Sequence, residues 1–212
     1  MTADFDEKTA TADELWDWYL IEYQNQNPIV QYLLNNFFTK IGDIVSLLNK
    51  NDRLLEIGCG AGISSRRILE MLSGQEFEVS DVDERLVKKL KETDFPLPVQ
   101  QESVLNLNRE DRTYDCVFLL EVLEHIEPYE QALTELFRVS RKYVVISVPN
   151  EPLWRILNMA RGKYLKQWGN TPGHINHWSP TRLKKLISKY GTVLRVYTPL
   201  PWIIVLAQVN AD

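Results

Sequence analysis

Apolar and polar positions follow two different rhythms along this chain. Before residue 50 the period is helical. Leu15, Trp16, Tyr19, Leu20 and Tyr23 share a broad face behind Asp13, a residue type that caps helices. Asn27-Pro28 opens a longer helix, with Pro28 suited to the first position because an N–H there would have no partner. Its apolar positions Val30, Leu33, Leu34, Phe37, Phe38, Ile41, Ile44, Val45 and Leu48 recur every three to four residues. Residues 1–50 therefore read as a helical N-terminal extension covering one face of the remaining chain. The Trp- and Tyr-rich first helix is either part of that cover or a lid over a pocket.

From Arg53 the rhythm changes to short apolar runs separated by amphipathic stretches. Strands are expected at Arg53–Ile57, Phe77–Asp81, Val99–Glu102, Tyr114–Leu120 and Tyr143–Val148, and helices at Ile63–Leu72, Glu84–Lys91 and Pro128–Val139. That alternation predicts an α/β domain over 51–212, a doubly wound parallel sheet with helices on both faces. A substrate-side insertion at 150–180 breaks the pattern with a short helix, Leu153–Ala160, and a run rich in glycine and aromatic residues. A helix at Thr181–Tyr190 and strands at Thr192–Tyr197 and Trp202–Val209 come after it. Only Thr198-Pro199-Leu200-Pro201 joins the two strands, so they must pair antiparallel.

Composition narrows the function. With 24 Lys and Arg against 29 Asp and Glu the net charge is −5, which disfavours a protein gripping nucleic acid through charge alone. The basic clusters at Arg138–Lys142 and Arg182–Lys189 read as solvated faces. Two distant cysteines, Cys59 and Cys116, indicate neither a disulfide framework nor a zinc ribbon and suit a reducing compartment. The acidic start, Met1–Glu14, lacks a signal peptide's basic and apolar run, and the greasiest stretch, Trp202–Ala207, is too short to span a bilayer. A cytoplasmic protein without membrane insertion is expected.

Chemistry should lie just after the strands, where open parallel sheets bind ligands. Leu54-Leu55-Glu56-Ile57-Gly58-Cys59-Gly60-Ala61-Gly62 is a strand entering a glycine turn that opens a helix. Counting from Gly58, the last position of a dinucleotide fingerprint is Ile63, and no Gly-Lys-Ser/Thr comes after it, so neither that motif nor a P-loop is present. An acid ahead of the glycines suits a ligand bearing an ammonium group. Asp81, 19 residues past Gly62, sits where a carboxylate can accept from both hydroxyls of a ribose, with Asp83 a near alternative.

Taken together, LLEIGCGAG, EVSDVD, YDCVFLLEVLEHI and VVISVPN resemble the class I S-adenosylmethionine-dependent methyltransferases over about Asp52 to Val209. The resemblance implies a Rossmann-like seven-stranded sheet with an antiparallel last strand. It also implies S-adenosylmethionine as cofactor, with Glu56, Gly58, Gly60 and Gly62 around its methionine part, Asp81 at the ribose, and Cys59, Val82 and Glu121 among the other residues near it. The usual adenine-binding Asp is replaced by Glu102-Ser103-Val104, leaving that contact to the Ser103 hydroxyl or the Val104 backbone.

The three histidines, His125, His174 and His177, all fall in segments expected at strand carboxyl ends and are the candidate bases for deprotonating a substrate hydroxyl. His125 leads. If Glu121–His125 forms one helical turn, Glu121, Glu124 and His125 share a face that can hold a divalent cation, with His174 or His177 completing the shell. The stretch is similar both to ubiquinone-type O-methyltransferases and to metal-dependent enzymes methylating the 2′-hydroxyl of RNA ends. Many small-molecule methyltransferases carry the same Glu-x-x-Glu-His without a metal. The favoured reading is metal-free O-methylation of a small hydroxylated substrate. The alternatives are the RNA-end enzyme, using Glu121, Glu124, His125 and His177 as metal ligands, and a non-catalytic cofactor-binding module.

Overall fold

The computed structural model describes residues 9–23 and 25–210, without the side chains of 22 and 23. The first residues of the acidic start and the Tyr23 side chain thus lie outside the described residues.

Seven strands form one sheet: β1 (Arg53–Ile57), β2 (Glu76–Asp81), β3 (Val99–Gln101), β4 (Tyr114–Leu120), β5 (Ser140–Pro149), β6 (Gly191–Tyr197) and β7 (Trp202–Val209). Their order is β3-β2-β1-β4-β5-β7-β6, with β7 antiparallel to both β5 and β6. Strand order reverses between β1 and β4, so the connections leaving their carboxyl ends run to opposite sides and leave a crevice there.

Helices α2 (Pro28–Val45), α3 (Ile63–Leu69) and α4 (Glu84–Glu92) cover one face; α5 (Tyr129–Val139) and α7 (Pro180–Ile187) cover the other. Helix α2 begins as its sequence suggests, with Asn27 Oδ1 accepting from Ile29 N at 2.9 Å and Pro28 in the first turn. Its Phe37, Phe38, Ile41, Ile44 and Val45 are buried against the sheet, each worth about 1.5–3 kcal/mol of apolar burial. Helix α3 stops short of Leu72 because Met71 N and Leu72 N bond three residues back, to Ile68 and Leu69 carbonyls, and tighten the turn.

The first helix, α1 (Ala12–Tyr23), is not capped by Asp13. Thr11 Oγ1 accepts from Glu14 N at 3.3 Å while the Glu14 carboxylate accepts from Thr11 N at 2.8 Å, a reciprocal capping box. Asp13 lies inside the first turn and pairs with Lys89 of α4.

At the amino ends of the strands, buried acids are neutralised. Asp115 takes Arg141 at 2.6 Å and Lys142 at 3.0 Å, and Lys142 also reaches Asp52 at 2.7 Å. These cations hold the Asp115 carboxyl below its usual range despite its burial. No helix among the described residues is long and apolar enough to cross a membrane.

Candidate active site

The chain leaving β1 turns through Gly58, Gly60 and Gly62 at φ of 76°, 54° and 74°, a region side chains rarely enter. Gly58 N and Cys59 N both donate to Ser80 O, at 2.8 and 3.0 Å, tying the loop to β2. A Cβ on Gly60 would meet the Tyr19 ring at 2.9 Å, so α1 lies directly on the loop. Asp81 Oδ2 accepts from Gly60 N at 2.8 Å and Oδ1 from Asp83 N at 2.9 Å. Each oxygen keeps a lone pair for a ligand hydroxyl. Burial raises this carboxyl above its usual value, outweighing the two amides.

A cavity of about 540 Å³ opens above these strand ends, a size that encloses a drug-sized ligand. Of the residues expected at the cofactor, Gly58, Cys59, Gly60, Asp81, Val82, Ser103, Val104 and Glu121 line it. Glu56 and Gly62 do not. Gly62 starts α3 in the left-handed region, and a Cβ there would meet Phe95 at 2.5 Å. Glu56 lies fully buried behind the loop, its Oε2 accepting from Ser65 Oγ at 2.5 Å and its Oε1 without a partner among the described residues. Burial pushes its pKa up to about 7.

Residues 121–125 do not form an α-helical turn. Glu121 adopts φ 58°, and the 3-10 turn begins only at Leu123 and ends at His125. Glu121, Glu124 and His125 therefore share no helical face. Glu121 Oε1 accepts from Ser147 Oγ at 2.7 Å. Glu124 is buried with Oε2 unpartnered among the described residues, and burial together with the Glu121 charge holds its carboxyl well above the ordinary range.

His125 reaches the Gly173 carbonyl through Nδ1 at 3.1 Å. A carbonyl only accepts, so that nitrogen carries the proton and Nε2 presents its lone pair. The His174 ring stands edge-on to His125 at 4.8 Å. Burial lowers both imidazoles, that of His174 to about 3 with further help from the other two histidines. His177 is not on the cavity wall; its Nε2 donates to Asn170 Oδ1 at 2.7 Å, and Asn170 Nδ2 donates to the His174 carbonyl. Only part of the expected cation set comes together among the described residues. One carboxylate oxygen of Glu124 and one nitrogen each of His125 and His174 lie within 4.8 Å of one another, while Glu121 and His177 stand outside that group.

No motif in the sequence singles out the other side chains of the wall. Trp18 and Tyr19 come from α1, and Trp154, Asn158, Arg161, Lys163 and Thr171 come from α6 (Leu153–Ala160) and the loop after it. Trp202 joins them from β7. The aromatic and glycine content of 150–180 marked the segment, but no spacing rule marked which side chains face inward.

The profile of a methyltransferase domain family matches residues 26–195. Among curated proteins, the ubiquinone biosynthesis O-methyltransferase of Rickettsia canadensis (strain McKiel) is 25% identical over 181 residues, covering 80% of this chain and 72% of that one. Its counterpart from Rickettsia felis is 24% identical over 174 residues, covering 76% and 67%. A SAM-dependent methyltransferase structure from Aquifex aeolicus superposes with a TM-score of 0.67 at 17% identity, over 98% of this chain and 100% of that one. Magnesium protoporphyrin IX methyltransferase from Synechocystis, solved with bound SAH, gives a TM-score of 0.65 at 18% identity, over 91% and 93%. The glycine loop, the strand order and the matched profile agree, and the chain belongs to the methyltransferase domain family as a class I S-adenosylmethionine-dependent enzyme.

Proposed function

We propose that this enzyme methylates a hydroxyl of a small acceptor, with His125 as the base. The observation that carries the reading is the tautomer of His125: a neutral imidazole on the cavity wall, proton fixed on Nδ1 by Gly173, Nε2 free to take a proton. The curated relatives named as O-methyltransferases support hydroxyl as the acceptor class.

S-adenosylmethionine supplies an electrophilic methyl on a sulfonium. The residues present suit that cofactor: a side-chain-free loop that admits a ligand against the backbone, Asp81 with spare acceptor capacity for ribose hydroxyls, and the orphaned Oε1 of Glu56 beneath. Gly58, Cys59 and Gly60 form the methionine side, Gly62 and Glu56 shape it from behind, and Glu121 borders the reacting end. Val82, Ser103 and Val104 flank the adenine. His125 removes the acceptor proton as the hydroxyl aligns with the methyl. His174 stays neutral beside it, and His177 positions the His174 segment through Asn170. Trp18 and Tyr19 make α1 a lid over residues 51–212, the catalytic unit. Two free, buried cysteines, Cys59 and Cys116, support a cytoplasmic setting.

The test is calorimetric titration with S-adenosylhomocysteine, then a methyl-transfer screen over phenols, sugars and RNA 3′ ends. Turnover on phenols or sugars is expected. Product only with RNA ends would move the acceptor to nucleic acid, and binding with no product from any class would make the protein a binding module.

A further inference from the structure

The charges of this chain are segregated along its length. Residues 152–211 hold nine Lys and Arg and no Asp or Glu, whereas residues 1–151 hold fifteen against twenty-eight. Two of the nine cations, Arg161 and Lys163, line the cavity. Neither forms an ion pair with a carboxylate among the described residues, in contrast to Arg109, Arg138 and Arg141 elsewhere in the fold.

Arg161 is not simply waving at the rim. Its Nη2 donates to Asn158 Oδ1 at 2.5 Å, and Asn158 is 1% exposed. The amide is oriented from behind, because its Nδ2 donates to Gly169 O at 2.9 Å and to Thr171 Oγ1 at 3.2 Å. Thr171 Oγ1 also accepts from Trp154 Nε1 at 2.9 Å, and Lys163 N donates to Asn158 O at 2.8 Å. Trp154, Asn158, Arg161, Lys163 and Thr171 are thus one hydrogen-bonded unit, and all five face the cavity. One nitrogen of the guanidinium is held by a neutral amide, which leaves its charge uncompensated and its other N–H groups available. The same unit leads to the base: the Trp154 ring lies 6.2 Å from His174, whose ring is 4.8 Å from His125. Trp202, 6.1 Å from Trp154, adds a second flat apolar surface.

We propose that Arg161 and Lys163 form an anion subsite, and that the methyl acceptor is an aromatic hydroxy acid. Its ring lies against Trp154 and Trp202, its hydroxyl at His125 and its carboxylate on the two cations. A guanidinium binds a carboxylate through paired N–H donors, and charge-assisted bonds of this kind are roughly twice as strong as neutral ones. The proposal rests on the reading of this wall as the acceptor side of the cavity.

The test uses two probes of nearly equal shape, 4-hydroxyphenylacetate and its neutral amide, titrated into the enzyme saturated with S-adenosylhomocysteine. The acid is expected to bind at least about tenfold more tightly, a difference of about 1.4 kcal/mol. The double variant Arg161→Gln, Lys163→Gln should erase that preference while leaving the affinity for the amide and for S-adenosylhomocysteine unchanged. A melting curve checks that the variant is folded. Equal affinity for the probes, binding of neither, or a variant that loses S-adenosylhomocysteine instead would overturn the subsite, the last by assigning the cations to the cofactor carboxylate. Because the measurement is binding, a charge preference erased in the variant upholds the subsite even where methyl transfer itself is not found.

Discussion

The two ends of the sheet treat buried acids in opposite ways. At the amino end, Asp115 is fully buried yet held below its usual pKa, because Arg141, Lys142 and the Arg53 amide surround it. At the carboxyl end, Glu56, Asp81 and Glu124 are as deeply placed, and all three are raised by desolvation that no cationic side chain among the described residues offsets. An acid paired within the fold is a structural device. An acid left unpaired at a strand end is held ready for something that arrives. For an enzyme whose cofactor carries a sulfonium and an ammonium, acids that the fold has not already paired with a cation belong at the binding end.

The sharpest way to break this contrast is at the carboxyl end. His125→Ala should lower turnover by about 10²–10⁴-fold, the usual range for a general base, with little change in S-adenosylhomocysteine affinity. Turnover in the parent enzyme should fall as pH drops and the imidazole protonates. Burial lowers its pKa, so the midpoint should lie below the ordinary 6.5. A midpoint above 6.5, or a variant with full activity, would remove His125 from the reaction.

Asp81→Ala comes next. It removes the acceptor for Gly60 N and Asp83 N as well as the proposed ribose contacts. Bonds to a charged acceptor are worth about 1.5–3 kcal/mol each, so cofactor affinity should fall on the order of 100-fold by calorimetry. Undiminished affinity would mean the ribose is held elsewhere.

Asp115→Ala probes the other end and should do the reverse. Arg53 N loses its acceptor, and the melting transition should show a loss of about 2 kcal/mol with cofactor affinity unchanged. Since the folded pKa is depressed, this stabilisation is present above the ordinary value of 3.8 and is lost as pH falls below it. A variant as stable as the parent would show that the Asp115 pairs contribute nothing net.

The same contrast explains what could be read before the structure. The glycine turn and Asp81 are legible because each is contiguous with a strand, and strand ends converge by topology. The strand order follows from the alternation and from the four-residue link before β7. Residues 121–125 misled because the i, i+3, i+4 rule assumes α geometry, and Glu121 at φ 58° breaks it locally. Asp13 misled because Thr11, two residues earlier, had Glu14 at capping-box spacing. Arg161 was invisible for a different reason. Its place on the wall depends on Asn158, Gly169 and Thr171 meeting across a loop, a tertiary arrangement with no sequence period.

The smallest effect is expected from a chelator, and it tests the contrast most directly. Glu124, His125 and His174 bring ligand atoms within 4.8 Å of one another, so a resident cation there would make the carboxyl end as compensated as the amino end. Such an ion would have to displace the proton that burial and the Glu121 charge favour on Glu124. His125 already donates through Nδ1 to Gly173, and His174 is neutral above about pH 3. Three neutral groups tolerate burial without an ion. Full turnover in excess chelator is therefore expected, with Glu124→Gln, which keeps the uncharged shape, retaining most of it. Turnover lost to chelator and restored by magnesium, manganese or zinc would show that the carboxyl end takes a permanent cation too. The two ends would then differ only in where their positive charge comes from, side chains at one and a metal at the other.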